Sequence, residues 1–159
     1  MGQNAAYFLA AVLKDRASAG LRLQPGLPEA DMMAFRRTVA QRLNYELPAL
    51  YTDLLSRTDG LDSNGVVLYA SRSYFQGAKL LQQGFVEANQ LLRAYAPNLD
   101  FVYFAESGMD LYRHNLVSNE FEVCTRVGLR TMATFATAEA FFQQIFADML
   151  DAVDDPEEA

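Results

Sequence analysis

The hydrophobic period of this chain changes at Phe101, and that change limits the folds open to it. Before Phe101 the apolar residues recur mostly at helical spacing; from Phe101 to Val127 they alternate. The run from Phe101 to Glu106 is rich in β-branched and aromatic residues and reads as a strand. Ser107-Gly108 turns it into a second strand, Asp110 to Asn115, and Val117-Ser118-Asn119 leads to a third. In that third strand Glu120, Glu122, Cys124 and Arg126 fall on one side, and Phe121, Val123, Thr125 and Val127 on the other. Such alternation predicts one packed face and one wet face. Three strands joined by short turns make an antiparallel meander. Helices followed by a meander imply an α+β fold.

The helical segments are legible from their apolar faces. Ala5, Phe8, Leu9 and Val12 mark a first helix over residues 4–18. Residues 19–28 hold Gly20, Pro25, Gly26 and Pro28, too many breakers for regular structure. Pro28 with Glu29 and Asp31 opens a second helix whose buried face is Met32, Phe35, Val39 and Leu43. Arg36, Arg37 and Gln41 point away from that face, and two arginines without a glycine loop read as a solvated surface. Leu47, Leu50, Tyr51, Leu54 and Leu55 share one face of a third helix, with Pro48 in its first turn and Thr58-Asp59-Gly60 at its end. Asn64-Gly65 signals a turn, and Val66 to Tyr69 a short buried strand. Residues 74–84 are ambiguous between helix and loop. Phe85 to Tyr95 is expected to be helical with Ala88, Leu91, Leu92 and Tyr95 inward, stopped by Ala96-Pro97-Asn98. Thr137 is placed to cap a last helix carrying Phe141, Phe142, Ile145, Phe146, Met149 and Leu150 on one face. Burying each of these six side chains contributes about 1.5–3 kcal/mol, so this helix is expected to cover the sheet.

One domain over residues 1–153 accounts for a chain of 159 residues, with an acidic tail at 154–159. The single cysteine, Cys124, rules out an intramolecular disulfide and suits a reducing cytoplasm. The apolar stretch near the N-terminus lacks the basic region of a secretion signal, and no apolar run approaches the roughly 20 residues that span a bilayer. The chain is therefore read as cytoplasmic, with no membrane partner. Its formal charge is −7 and it has no basic stripe, which argues against direct nucleic-acid binding. The acid excess suits a basic protein partner through electrostatic steering, although six of the 20 acids lie between Asp148 and Glu158.

Catalytic chemistry finds little material. His114 is the only histidine; Cys124 and Asp110 are its conceivable partners in a triad, but neither Cys124 nor His114 lies on the sharp exposed turn that nucleophiles often occupy, and a lone cysteine is usually a small core residue. One histidine and one cysteine cannot build a structural zinc site. The carboxylate pairs Glu120/Glu122, Asp59/Asp62 and Glu106/Asp110 lack the contrasting environments that acid–base work needs. The loop from Asp59 to Asn64 carries three side-chain oxygen donors without the spacing of an EF-hand. No cofactor or metal is expected, and the chain reads as a binding protein, not an enzyme. Candidate partner-contact residues are Asp59, Asp62, Glu106, Asp110, Tyr112, Glu120 and Glu122, chosen for charge, turn position and the polar face of the meander. Tyr103 and Tyr112, if exposed, would suit an interface, where tyrosine is enriched.

Taken in order, several short motifs make up a longer pattern. They are Leu47-Pro48 with Tyr51 and Leu54-Leu55; Asp59-Gly60 and Asn64-Gly65; Phe104-Ala105-Glu106-Ser107-Gly108 with Asp110-Leu111-Tyr112; and Phe135 through Phe142. Across residues 28–151 this order resembles the SUKH superfamily, and within it the YrhA-like branch. The resemblance implies an α+β domain with an antiparallel or mixed sheet and the helices packed on one face. It also implies a bacterial immunity protein, which binds and neutralises a polymorphic toxin, often a nuclease or deaminase, by stoichiometric contact without turnover. The alternative it implies is a regulatory or scaffold domain with several weaker partners. The family carries over no catalytic residue and no shared toxin-contact set.

Overall fold

The computed structural model describes residues 4–95 and 98–151. The acidic tail expected at 154–159 and the Ala96-Pro97 step expected to stop a helix lie outside the described residues. The chain runs α1 (Ala5–Ser18), α2 (Glu29–Leu43), α3 (Ala49–Arg57), β1 (Leu61–Ser63), β2 (Val66–Leu68), β3 (Tyr74–Gln76), β4 (Lys79–Gln82), α4 (Phe85–Tyr95), β5 (Phe101–Glu106), β6 (Asp110–Asn115), β7 (Glu120–Thr125), β8 (Thr131–Phe135) and α5 (Ala138–Asp151). It is an α+β fold. Six strands form one sheet in the order β1-β2-β5-β6-β7-β8, every neighbouring pair antiparallel; β3 and β4 form a separate hairpin. The sheet is thus antiparallel and not mixed, the one parallel contact being an isolated bridge between Ala70 and Gly84.

The meander has four strands where three were expected, because Thr131–Phe135 adds β8 at the edge. β1 also falls where a turn was expected. Asn64 and Gly65 both take positive φ, 54° and 84°, the two-residue turn that matches strand twist, so they close a hairpin between β1 and β2. The segment 74–84, open between helix and loop in the sequence, is neither: it forms the β3–β4 hairpin.

Phe104 is the hub of the core. Its ring lies 5.0–6.4 Å, centroid to centroid, from Tyr51 of α3, Phe85 of α4, Phe121 of β7, and Phe141 and Phe142 of α5. A bulge between Tyr103 and Ala105 sets Phe104 in this position. Helix α5 docks as expected: Phe141, Phe142, Ile145, Phe146 and Met149 are fully buried, Leu150 packs at the margin, and Thr137 Oγ1 caps the Ala140 N–H at 3.2 Å. Helix α1 packs on α5, and α2 against α3 and α4.

Helix α4 has the expected limits but a rotated face. Phe85, Ala88 and Asn89 are buried, while Leu91 and Tyr95 are 69% and 89% exposed. The cause is Asn89, whose side chain acts as a strand partner. Its Nδ2–H donates to the Tyr103 carbonyl at 2.8 Å and its Oδ1 accepts from the Tyr103 N–H at 2.7 Å. It satisfies the edge of β5 beyond the end of β2, where those two backbone groups would otherwise be buried without partners.

Candidate functional site

The turn Thr58-Asp59-Gly60 binds several segments together. Asp59 is only 1% exposed. Its Oδ1 accepts from the Ser71 N–H at 2.7 Å; its Oδ2 accepts from Ser71 Oγ at 2.8 Å and from the Tyr74 hydroxyl. Its own N–H donates to the Pro25 carbonyl at 2.9 Å. One residue therefore joins the end of α3, the 21–28 connection, the strand exit at Ser71 and the β3–β4 hairpin. Burial, and then the bond and charge of Asp59, push the Tyr74 hydroxyl above its ordinary pKa. Gly60 is required on two counts: its φ is +86°, and a Cβ there would stand 2.7 Å from that of Ala70.

Beside this latch lies an open cleft of about 1120 Å³. One wall is the polar side of α2, with Asp31, Thr38 and Arg42; the other is the hairpin, with Tyr74, Phe75 and Leu81. Arg16, Arg22, Arg72, Asp62 and Glu87 complete the lining. The Arg16 guanidinium donates to the carbonyls of Asp62 and of Arg22, tying α1 to both segments. The Arg72 guanidinium lies 4.2 Å from the centroid of the Tyr74 ring, a cation–π contact. Among the described residues Arg22, Arg42 and Arg72 form no salt bridge.

The seven candidate contact residues do not converge on one site. Asp59 and Asp62 flank the cleft, Asp59 buried and Asp62 exposed. Glu106 and Asp110, both half-buried, bracket the β5–β6 turn; Glu106 accepts from the Tyr69 hydroxyl at 2.8 Å and pairs with Arg126 at 3.1 Å. Tyr112 is buried on the inner face, where its hydroxyl donates to Asp148 Oδ2 at 2.7 Å; Tyr103 is buried too, so neither supplies an exposed interface aromatic. Glu120 is exposed at the start of β7. Glu122 and Cys124, placed by alternation on a wet face, are both buried. Glu122 accepts from Arg113 Nε at 2.7 Å, Asn115 Nδ2 at 3.3 Å and Thr131 Oγ1 at 3.3 Å. The guanidinium of Arg113 also lies 3.6 Å from the Phe101 ring centroid. The expected wet face is thus a layer of charges that cover one another. Asp59, Tyr112 and Glu122 offer no free polar surface to a partner.

His114 and Cys124 are not brought together. His114 faces the core, opposite Phe121, while Cys124 lies on the other face, opposite Leu111. The Tyr45 hydroxyl lies 2.8 Å from His114 Nδ1, and Asn119 Oδ1 lies 3.0 Å from Nε2, so both ring nitrogens have a hydrogen-bond partner within the fold. Burial holds the Cys124 thiol above its ordinary pKa, away from the reactive thiolate. In the Asp59–Asn64 loop the oxygens diverge, since Asp59 is taken up by hydrogen-bond donors and the Asn64 amide donates to the Met149 carbonyl. Among the described residues no group of three or more His, Cys, Asp or Glu could hold a metal ion, and no helix is long and apolar enough to cross a membrane.

Fold and cleft together define an α+β domain with a six-stranded antiparallel sheet and a cleft lined in part by a separate hairpin. Compared with protein-family models and with curated protein sequences, the chain matches none.

Proposed function

We propose that this chain is a cytoplasmic immunity protein of the SUKH type. It binds a cognate toxin, a basic nuclease or deaminase domain, one to one and without turnover. The observation that carries this reading is where its motif residues sit. Tyr51, Leu54, Leu55 and Phe104 are at the centre of the core, and Asn64-Gly65 and Ser107-Gly108 at the hairpin turns, in the chain order of that superfamily. The net charge of −7 adds to it, because an acidic inhibitor is steered toward a toxin whose active site is basic for its nucleic-acid substrate. On this reading Asp62 and Glu120, the two exposed candidates, and the half-buried Glu106 and Asp110 are the contact residues to test.

The test is a rescue. A toxin domain encoded beside this gene is expressed with and without the chain, and survivors are counted. Rescue, together with a one-to-one complex that persists through gel filtration, is the expected result. A folded chain that neither rescues nor binds the toxin would discard the immunity reading and leave the regulatory or scaffold alternative, to be pursued by pull-down.

A further inference from the structure

The β3–β4 hairpin shares no ladder with the six-stranded sheet and is hydrogen-bonded to the domain only near its root. The root itself is tightly built. The Ala70 N–H donates to the Gln83 carbonyl at 2.9 Å, the Phe85 N–H to the Ala70 carbonyl at 2.8 Å, and the Gly84 N–H to Ser73 Oγ at 3.0 Å. A Cβ on Gly84 would stand 2.5 Å from the Ser73 nitrogen, so the two legs of the hairpin meet there without room for a side chain. One rung further out, Tyr74 pairs with Gln82. Both side chains of that rung reach back to the domain: the Tyr74 hydroxyl donates to Asp59, and Gln82 Nε2 to the Leu68 carbonyl at 2.9 Å. Beyond that rung the tie ends. Residues 75–81 are all exposed, and among the described residues they make no hydrogen bond or salt bridge to another element. Phe75, Leu80 and Leu81 stay exposed, so apolar burial does not hold the hairpin down either.

We propose that the β3–β4 hairpin is a flap on the cleft. Residues 74–82 swing as one unit about the Ser73–Gly84 root, and the bonds from Tyr74 to Asp59 and from Gln82 to Leu68 are its latch. A lone two-stranded hairpin is marginal in water, so little besides the latch keeps this one in place. Segments with few buried apolar contacts and exposed backbone bonds are those that open well below global unfolding. With the flap closed, Tyr74, Phe75 and Leu81 form one wall of the cleft; with it open, that wall is withdrawn from α2. This gating does not depend on the acidic contact residues proposed above, and its test needs no toxin.

The test is amide hydrogen exchange on the full chain, comparing residues 74–82 with β5–β7. The hairpin amides are expected to exchange at least about a hundredfold faster than the paired amides of β5–β7. Tyr74→Phe keeps the ring beside the Arg72 guanidinium, leaves Asp59 its two bonds from Ser71, and removes only the latch hydroxyl. It should speed exchange on both hairpin strands by about threefold to tenfold and leave β5–β7 and the melting temperature unchanged. Tyr112→Phe removes a hydroxyl bond to Asp148, in a different part of the fold, and should leave hairpin exchange unchanged. Hairpin protection equal to that of β5–β7 would overturn the flap. So would unchanged hairpin exchange in Tyr74→Phe, or equal acceleration by Tyr112→Phe, since the hairpin would then open only with the whole domain. Acceleration confined to β3 would also overturn it, by reducing the motion to fraying of one strand.

Discussion

On the inner face of β5–β7, Phe104 meets aromatic rings from three helices; on the outer face, across the same ladder, Arg113 meets Glu122. Both sets of side chains are withdrawn from water, by different means. The inner face is buried under helices, and its stability comes from removed apolar area and close packing. The outer face is closed by its own side chains: Arg113 over Phe101 and against Glu122, and Arg126 against Glu106 and the Ser107 carbonyl. An apolar contact loses energy in proportion to what is deleted. A buried charge that loses its partner pays the full desolvation of what is left behind.

That contrast can be broken or sharpened by substitution. The largest effect is expected at the hub. Phe104→Ala should cost about 4–5 kcal/mol in denaturant unfolding, since rings from several elements cannot all collapse into the space. A loss under about 2 kcal/mol would mean that the helices repack freely and that Phe104 is no hub. Next, Glu122→Ala should cost about 3 kcal/mol by stranding Arg113, whereas the double change Arg113→Met with Glu122→Leu should be close to neutral or stabilising. If the double variant lost as much as the single one, the outer layer would be contributing more than mutual neutralisation. Smaller again is Arg126→Ala. Its pair with Glu106 is more than a third exposed on both sides, so solvent screening limits the loss to no more than about 1 kcal/mol.

The same contrast explains what the sequence made legible. Helix α5 and the six-residue strands β5, β6 and β7 were readable because one period ran through each. The charged layer was not, because alternation assigns faces without saying whether a polar face is wet. Arg113 meets Glu122 only once the register is fixed, and then Asn115 and Thr131 close around the carboxylate. The rotation of α4 has a related cause: Asn89 is polar, so a hydrophobic pattern passes over it, yet it is buried by the backbone it satisfies. For β1, the Asn64-Gly65 pair held the signal, a two-residue hairpin turn needing a strand on each side. The cleft had no local signature, since its walls come from α2 and from a hairpin some forty residues later, joined through Asp59.

His114 is where the two regimes meet, a titratable ring on the apolar face. It stacks on Phe121 at 4.1 Å between centroids, and its two nitrogens are held by Tyr45 and Asn119. Burial lowers its pKa below the usual 6.5, against weaker opposing bonds from Asn119, and no charged group contributes to the shift. The unfolded chain therefore binds the proton more readily than the folded one. The stabilising contribution is complete above about pH 6.5 and is lost progressively as the pH falls from there toward the depressed folded-state value. The expected effect is the smallest of the four, because the ring is half-buried. Melting temperature followed from pH 7.5 down to about pH 5 should fall more steeply for the native chain than for His114→Phe, which keeps the stack on Phe121 and removes the titration. Equal slopes would assign the acid sensitivity to carboxylates elsewhere and make His114 a packing residue that happens to be a histidine.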